Sequence, residues 1–139
     1  MLKIVLDSNI LVSNFLTPKG EASKIVKHAK ENDLFLSSFI LSEVWRVLHY
    51  ERVRKKYEYG VSLVESYLKD FAVTSTIVKP RTIMEVSPDS KDNIVLATAV
   101  EAGADYLITR NIKHFPKTYK DVQIVHPKKI LNKLNIIQS

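Results

Sequence analysis

The chain has 139 residues, 45% of them hydrophobic, with 3 Gly, 5 Pro, no Cys and a formal net charge of +6. This length and apolar content predict one domain over residues 1–139 and exclude a disordered chain; the lack of cysteine excludes a disulfide framework and a thiolate metal site. No apolar run approaches the roughly 18–20 residues of a membrane span, so a cytoplasmic protein without a membrane partner is expected, and the basic balance favours a polyanion such as nucleic acid.

The first predicted element is a buried strand, Leu2-Lys3-Ile4-Val5-Leu6, whose apolar part is also too short for a signal peptide. Residues 9–16 read as a helical stretch closed by Thr17-Pro18-Lys19-Gly20. Residues 21–31 read as a helix with Ala22, Ile25, Val26 and Ala29 on one face. A second strand, Leu34-Phe35-Leu36, precedes Ser37 or Ser38 as the cap of a helix carrying Ile40, Leu41, Val44, Trp45, Val47 and Leu48. The charged segment 51–59 is either an extra helix or a mobile arm. Residues 61–71 form a further helix, and residues 72–78 are expected to be a third strand.

A polar connection, 79–89, leads into an apolar helix around residues 94–100, for which Gly103 is the expected left-handed C-cap. Strands at 106–108 and 122–125 follow. Pro127 then opens a last helix with Ile130, Leu131 and Leu134 on one face. Short apolar strands alternating with helices predict a three-layer α/β/α sandwich around a central, mostly parallel sheet.

In such a sheet, ligands collect beyond the carboxyl ends of the strands. Asp7 follows the first strand directly and reads either as an N-cap or as a carboxylate at a strand mouth, with Asn9 as a hydrogen-bonding neighbour. Glu43 lies between Ile40 and Val47 at spacings that put it on the apolar stripe, so it needs a partner: a cation such as Arg46 or Arg110, or a metal. Asp89 and Asp92 precede the apolar helix and are explained either by capping or by chemistry. Asn111 follows the strand at 106–108, where it offers an uncharged oxygen. Asp105 reads as a surface turn residue, and the four histidines as isolated side chains, with His114 nearest the strand end.

Taken together, Asp7, Glu43, Asp92 and Asn111 can converge at one edge of a doubly wound sheet. Oxygen donors without Cys, and with no His spaced for zinc, suit Mg²⁺ or Mn²⁺, which act on phosphodiesters by polarising phosphate and activating water. The segments "IVLDSNILVS" at 4–13, "LSSFILSEVWRVL" at 36–48 and "SPDSKDNIVLATAVEAGADYLITRNIKHF" at 87–115 follow one another at spacings that cover almost the whole chain.

In these segments the sequence resembles the PIN-domain family, including the toxin components of the VapC type. The resemblance implies a parallel sheet flanked by helices and a metal-dependent endoribonuclease. It implies that Asp7, Glu43 and Asp92 match acidic metal-binding positions and that Asn111 stands where a fourth acid is common. Asn9 and Thr109 match polar neighbours of that site. It also implies a homodimer and a separately encoded antitoxin partner.

With Asn111 uncharged, three carboxylates would hold one divalent ion. In the hydrolytic reading, Asn9, Thr109, Arg46 and Arg110 lie on the substrate side, and Lys113 and the run Arg52–Lys56 hold the RNA backbone, unless that run is merely a solvated helix face. Two rivals stand beside it. Phosphoryl transfer through an aspartyl phosphate on Asp7 leaves Glu43 unexplained, and its usual second Asp is replaced here by Asn9. An RNA- or partner-binding module with weak or lost nuclease activity would account for Asn111.

Overall fold

The run Lys3–Leu6 forms strand β1, and its buried residues Ile4, Val5 and Leu6 lie at the middle of a six-stranded sheet. The computed structural model describes residues 1–138, with side chains through Lys133. After β1 come α1 (Ser8–Leu16), α2 (Glu21–Glu31), β2 (Asp33–Leu36), α3 (Ser38–Leu48), α4 (Glu51–Tyr57) and α5 (Val61–Thr74). Then follow β3 (Thr76–Ile77), α6 (Ser90–Ala102), β4 (Tyr106–Ile108), a 3-10 turn (Ile112–His114), β5 (Thr118–Tyr119), β6 (Val122–Val125) and α7 (Pro127–Gln138).

The strand order is β3-β2-β1-β4-β6-β5, and every pairing is parallel except that of β5 with β6. The chain runs outward from β1 through β2 to β3, then crosses back to lay β4 on the other side of β1. That reversal opens a crevice at the carboxyl ends of β1 and β4, the place where open α/β sheets bind ligands. Backbone hydrogen bonds carry the pairing past the strand ends: Asp7 N–H donates to Ile108 at 3.0 Å, and Thr109 N–H to Val125 at 3.1 Å.

The α/β architecture agrees with the sequence reading, with helices packed on a mostly parallel sheet. Helix α6 shows why. Val95, Leu96, Ala97, Thr98, Ala99 and Ala102 are all buried, so the helix has almost no solvated side, and it packs on β1, β2 and β4. Gly103 ends it with φ +63°, which a residue without a Cβ adopts cheaply. Ser37 caps α3, accepting the Ile40 N–H at 3.4 Å. Pro127 opens α7 as expected, and Ile130 is buried; the side chain of Leu134 lies outside the described residues.

Two elements differ from expectation. The predicted strand at 72–78 shrinks to Thr76–Ile77, because α5 continues through Thr74. Phe71, fully buried, anchors that last turn and contributes roughly 1.5–3 kcal/mol. Thr74 Oγ1 donates back to the Asp70 carbonyl at 2.8 Å, so a β-branched residue is accommodated in the helix, while Val73 points to solvent at 85% exposure. The antiparallel edge strand β5 was not anticipated; its two residues carry too little periodicity to read. Of the alternatives for 51–59, the helix is realised: α4 buries no residue, and an exposed Glu51–Lys55 pair at 2.9 Å spans one turn.

Candidate active site

Asp7 caps α1 from the end of β1. Its Oδ1 accepts the Ser8 N–H at 2.7 Å, so the capping role expected of an Asp at this place is filled. Its other oxygen does something a surface cap would not. Oδ2 accepts the Thr109 hydroxyl at 2.7 Å and lies 3.4 Å from Asn9 Nδ2. Asp7 is only 4% exposed, and each of these donors is neutral.

Burial pushes the Asp7 carboxyl above the usual carboxylate range, and the nearby charge of Asp92 pushes the same way. The hydrogen bonds from Thr109 and Ser8 oppose the rise without cancelling it. A buried carboxylate facing a like charge is the electrostatic signature of a site that gains from a cation.

Asp92 reaches this point from the first turn of α6 and is 6% exposed. The capping of α6 falls to its neighbour: Asp89 Oδ1 accepts the Lys91 N–H at 2.9 Å. Asp92 is thus released from capping, and its Oδ2 instead lies 2.8 Å from His114 Nδ1. Asn93, beside it, anchors the incoming loop, with its Oδ1 accepting the N–H groups of Val86 and Ser87 at 3.0 and 2.7 Å and its Nδ2 donating to the Ser87 carbonyl at 2.9 Å.

Thr109 is fully buried. It donates to Asp7 and accepts the Asn111 N–H at 3.1 Å. Its expected place on the substrate side therefore changes, since a buried hydroxyl committed to two protein partners orients Asp7 and cannot touch a substrate. Asn111 is exposed at the start of the 3-10 turn, and its side chain makes no capping hydrogen bond. Asn9 Oδ1 lies 3.5 Å from the Arg110 N–H, and Arg110 Nη2 donates to Ser13 Oγ at 3.2 Å, which lays that guanidinium along α1.

Glu43 is half-buried, as its place on the apolar stripe required, but of its two expected partners it has the cation. Its Oε2 lies 2.6 Å from Arg46 Nη2 and 3.8 Å from Lys91 Nζ. Arg46 in turn contacts the Tyr50 hydroxyl. Among the described residues no group of three or more His, Cys, Asp or Glu side chains is close enough to hold a metal ion. The structure brings Asp7, Asp92, Thr109 and Asn9 to one mouth and adds His114; it does not assemble Asp7, Glu43 and Asp92 around one point, and Glu43 lies against Arg46 and Lys91 instead.

The sequence weighed His114 as one of four isolated histidines, and the only signal for it was its place three residues after Asn111. Nothing local indicated its contact with Asp92.

The sequence pattern of the PIN domain matches residues 3–113. The chain belongs to the PIN-domain family. An uncharacterised protein of Methanocaldococcus jannaschii is 29% identical over 105 residues, covering 74% of this chain and 67% of that protein. Two solved structures share the fold. A DNA-bound VapBC from Salmonella typhimurium matches with a TM-score of 0.62 at 15% identity over 91% of this chain and 99% of that one. A VapBC2 from Rickettsia felis, bound to a promoter DNA fragment, also gives 0.62, at 16% identity over 90% and 98%. Among the described residues of this PIN domain no helix is long and apolar enough to cross a membrane.

Proposed function

We propose that this PIN domain is a ribonuclease that hydrolyses RNA phosphodiester bonds with the help of Mg²⁺ or Mn²⁺. The observation that carries the reading is the pair Asp7 and Asp92: two buried carboxylates at the switch point of the sheet, with Asp7 destabilised in its charged form chiefly by burial and, to a lesser degree, by Asp92. Their oxygen chemistry and, among the described residues, the lack of a cationic partner on Asp7 fit a hard divalent ion. Such an ion polarises a phosphodiester and lowers the pKa of water.

The chain's own residues supply the rest. Asp7 and Asp92 hold the cation, and Thr109 fixes the Asp7 rotamer from behind. Asn9 and Asn111 orient the attacking water at the mouth. Arg110 and Arg46 offer charge to the phosphates, which gives affinity without base selection. Glu43 would add a third carboxylate only once freed from Arg46 and Lys91.

The biological role that accords with this chemistry is that of a toxin in a toxin–antitoxin pair, acting as a homodimer in the cytoplasm. The resemblance to VapC-type proteins and the fold shared with the VapBC complexes support it. One observation favours the second reading, an RNA- or partner-binding module with weak nuclease activity: Glu43 is bound up in ion pairs. Cleavage of single-stranded RNA in Mn²⁺ by the wild type and by Asp7→Asn separates the two. Cleavage lost in the variant supports the nuclease, and equal behaviour of both proteins supports the binding module.

A further inference from the structure

Beside the acidic mouth, α1, α3 and α4 enclose an open cleft of ≈340 Å³, within the roughly 300–1,000 Å³ range of ligand clefts. Val12, Leu16 and Val47 make its apolar walls, and Tyr57, 40% exposed, stands on the α4 side. Ser8 and Asn9 line its other end, and both of them also touch Asp7. The cleft and the carboxylates therefore share a wall.

The cations around it favour a polyanion. Helix α4 reads Glu51-Arg52-Val53-Arg54-Lys55-Lys56-Tyr57; Lys55 pairs with Glu51 and the Arg54 Nε is buried, which leaves Arg52 and Lys56 as its exposed cations outside that pair. Lys56 Nζ stands 5.4 Å from the centre of the Tyr57 ring. On the opposite wall Arg110 lies on Ser13, a lining residue. A positively charged groove with an exposed aromatic ring is how single-stranded nucleic acids are held: the charges follow the phosphates and the ring stacks on a base. A helix of a protein partner would also meet apolar walls; the exposed Tyr57 ring beside a cation favours a stacked base over it.

We infer that this cleft is a nucleobase subsite, seating the base next to the scissile phosphate against Tyr57 and Val47, so that base preference arises here and not at the carboxylates. The inference rests on the ribonuclease reading. Val47, Val12 and Leu16 exclude water from the base faces, Tyr57 stacks, and Ser8 provides the polar edge that tells one base from another.

The test uses a labelled single-stranded RNA and a matched set in which one abasic site is moved along the strand. Binding is measured by fluorescence anisotropy on the Asp7→Asn background, and RNA cleavage by the wild type is measured in parallel. Tyr57→Ala and the cleft-filling Val47→Trp are expected to weaken binding of the intact strand about tenfold, in line with the loss of one stacked base, while Tyr57→Phe retains it. One abasic strand should bind wild-type and altered clefts alike, because it lacks the base that is seated. If the wild type cleaves RNA but none of these variants changes binding, the base subsite is overturned and the nuclease stands, leaving the cleft to a protein partner. A loss of the same size on every strand also overturns it. If the wild type neither cleaves nor binds RNA, both readings fall.

Discussion

The Thr109 hydroxyl donates to Asp7 Oδ2 at 2.7 Å across 102 positions of sequence, joining the ends of the two central strands. The bond is buried and its acceptor is a carboxylate, so it belongs to the stronger class of hydrogen bonds. Thr109→Val keeps the shape and removes the donor. We expect a loss of about 2 kcal/mol in urea unfolding near neutral pH, and a smaller loss in acid, where a protonated Asp7 needs the donor less. An equal loss at both pH values would mean that the hydroxyl does not serve the charged form.

The raised pKa of Asp7 has a definite sign for stability. Its folded value lies above the unfolded one, chiefly through burial. Its contribution is therefore fully present below the unfolded value of 3.8 and is lost as pH rises through the folded value. Without metal, Asp7→Asn should be more stable than the wild type at neutral pH, with the advantage vanishing as the pH drops below that unfolded value. Thermal melts in chelator across this window check it. Adding Mn²⁺ should raise the melting temperature of the wild type and leave the variant unmoved.

Asn111 and Glu43 decide how much negative charge a cation meets. Asn111→Asp places a carboxylate at the exposed edge of the mouth, where the amide makes no capping bond, and should tighten Mn²⁺ binding in calorimetry. Arg46→Ala frees Glu43 from its 2.6 Å partner and should tighten it in the same direction. The effect is at most about fivefold, since a half-exposed ion pair is worth roughly 0.2–1 kcal/mol. Unchanged affinity in Asn111→Asp would remove residue 111 from the metal shell, and unchanged affinity in Arg46→Ala would do the same for Glu43.

Asn93 makes three hydrogen bonds to the backbone of Val86 and Ser87 from the turn of α6 that carries Asp92. Asn93→Ala leaves two N–H groups and a carbonyl without it. The expected cost is about 3 kcal/mol in chemical denaturation, with faster hydrogen exchange at residues 86 and 87. A change below about 0.5 kcal/mol would show that water replaces the amide without loss.

Much of the local structure was legible from spacing alone. Burial on most sides of α6, the left-handed Gly103, a serine N-cap at 37 or 38 and the strands read at 2–6 and 106–108 each follow from a few neighbouring residues. Where local signals compete they mislead: Val73 and Thr74 are β-branched, but the anchor at Phe71 holds them in a helix. Asp7, likewise, could be named as a cap or as a strand-mouth carboxylate, and the structure makes it both.

By itself the sequence determined which residues are acidic, which stripes are apolar and roughly where helices lie, because those properties act over one or two turns; the true end of α5 at Thr74 was not among them. Only the tertiary structure decided who meets whom. Laying β4 beside β1 brings Thr109 to Asp7, carries Asp92 to the same mouth and places His114 on Asp92, while packing adds Lys91 to the local Glu43–Arg46 pair that one helical turn already allowed. The reason is physical: a buried charge takes whichever compensating partner the strand order brings within reach, and strand order is set by packing across the whole chain rather than by the residues beside the charge.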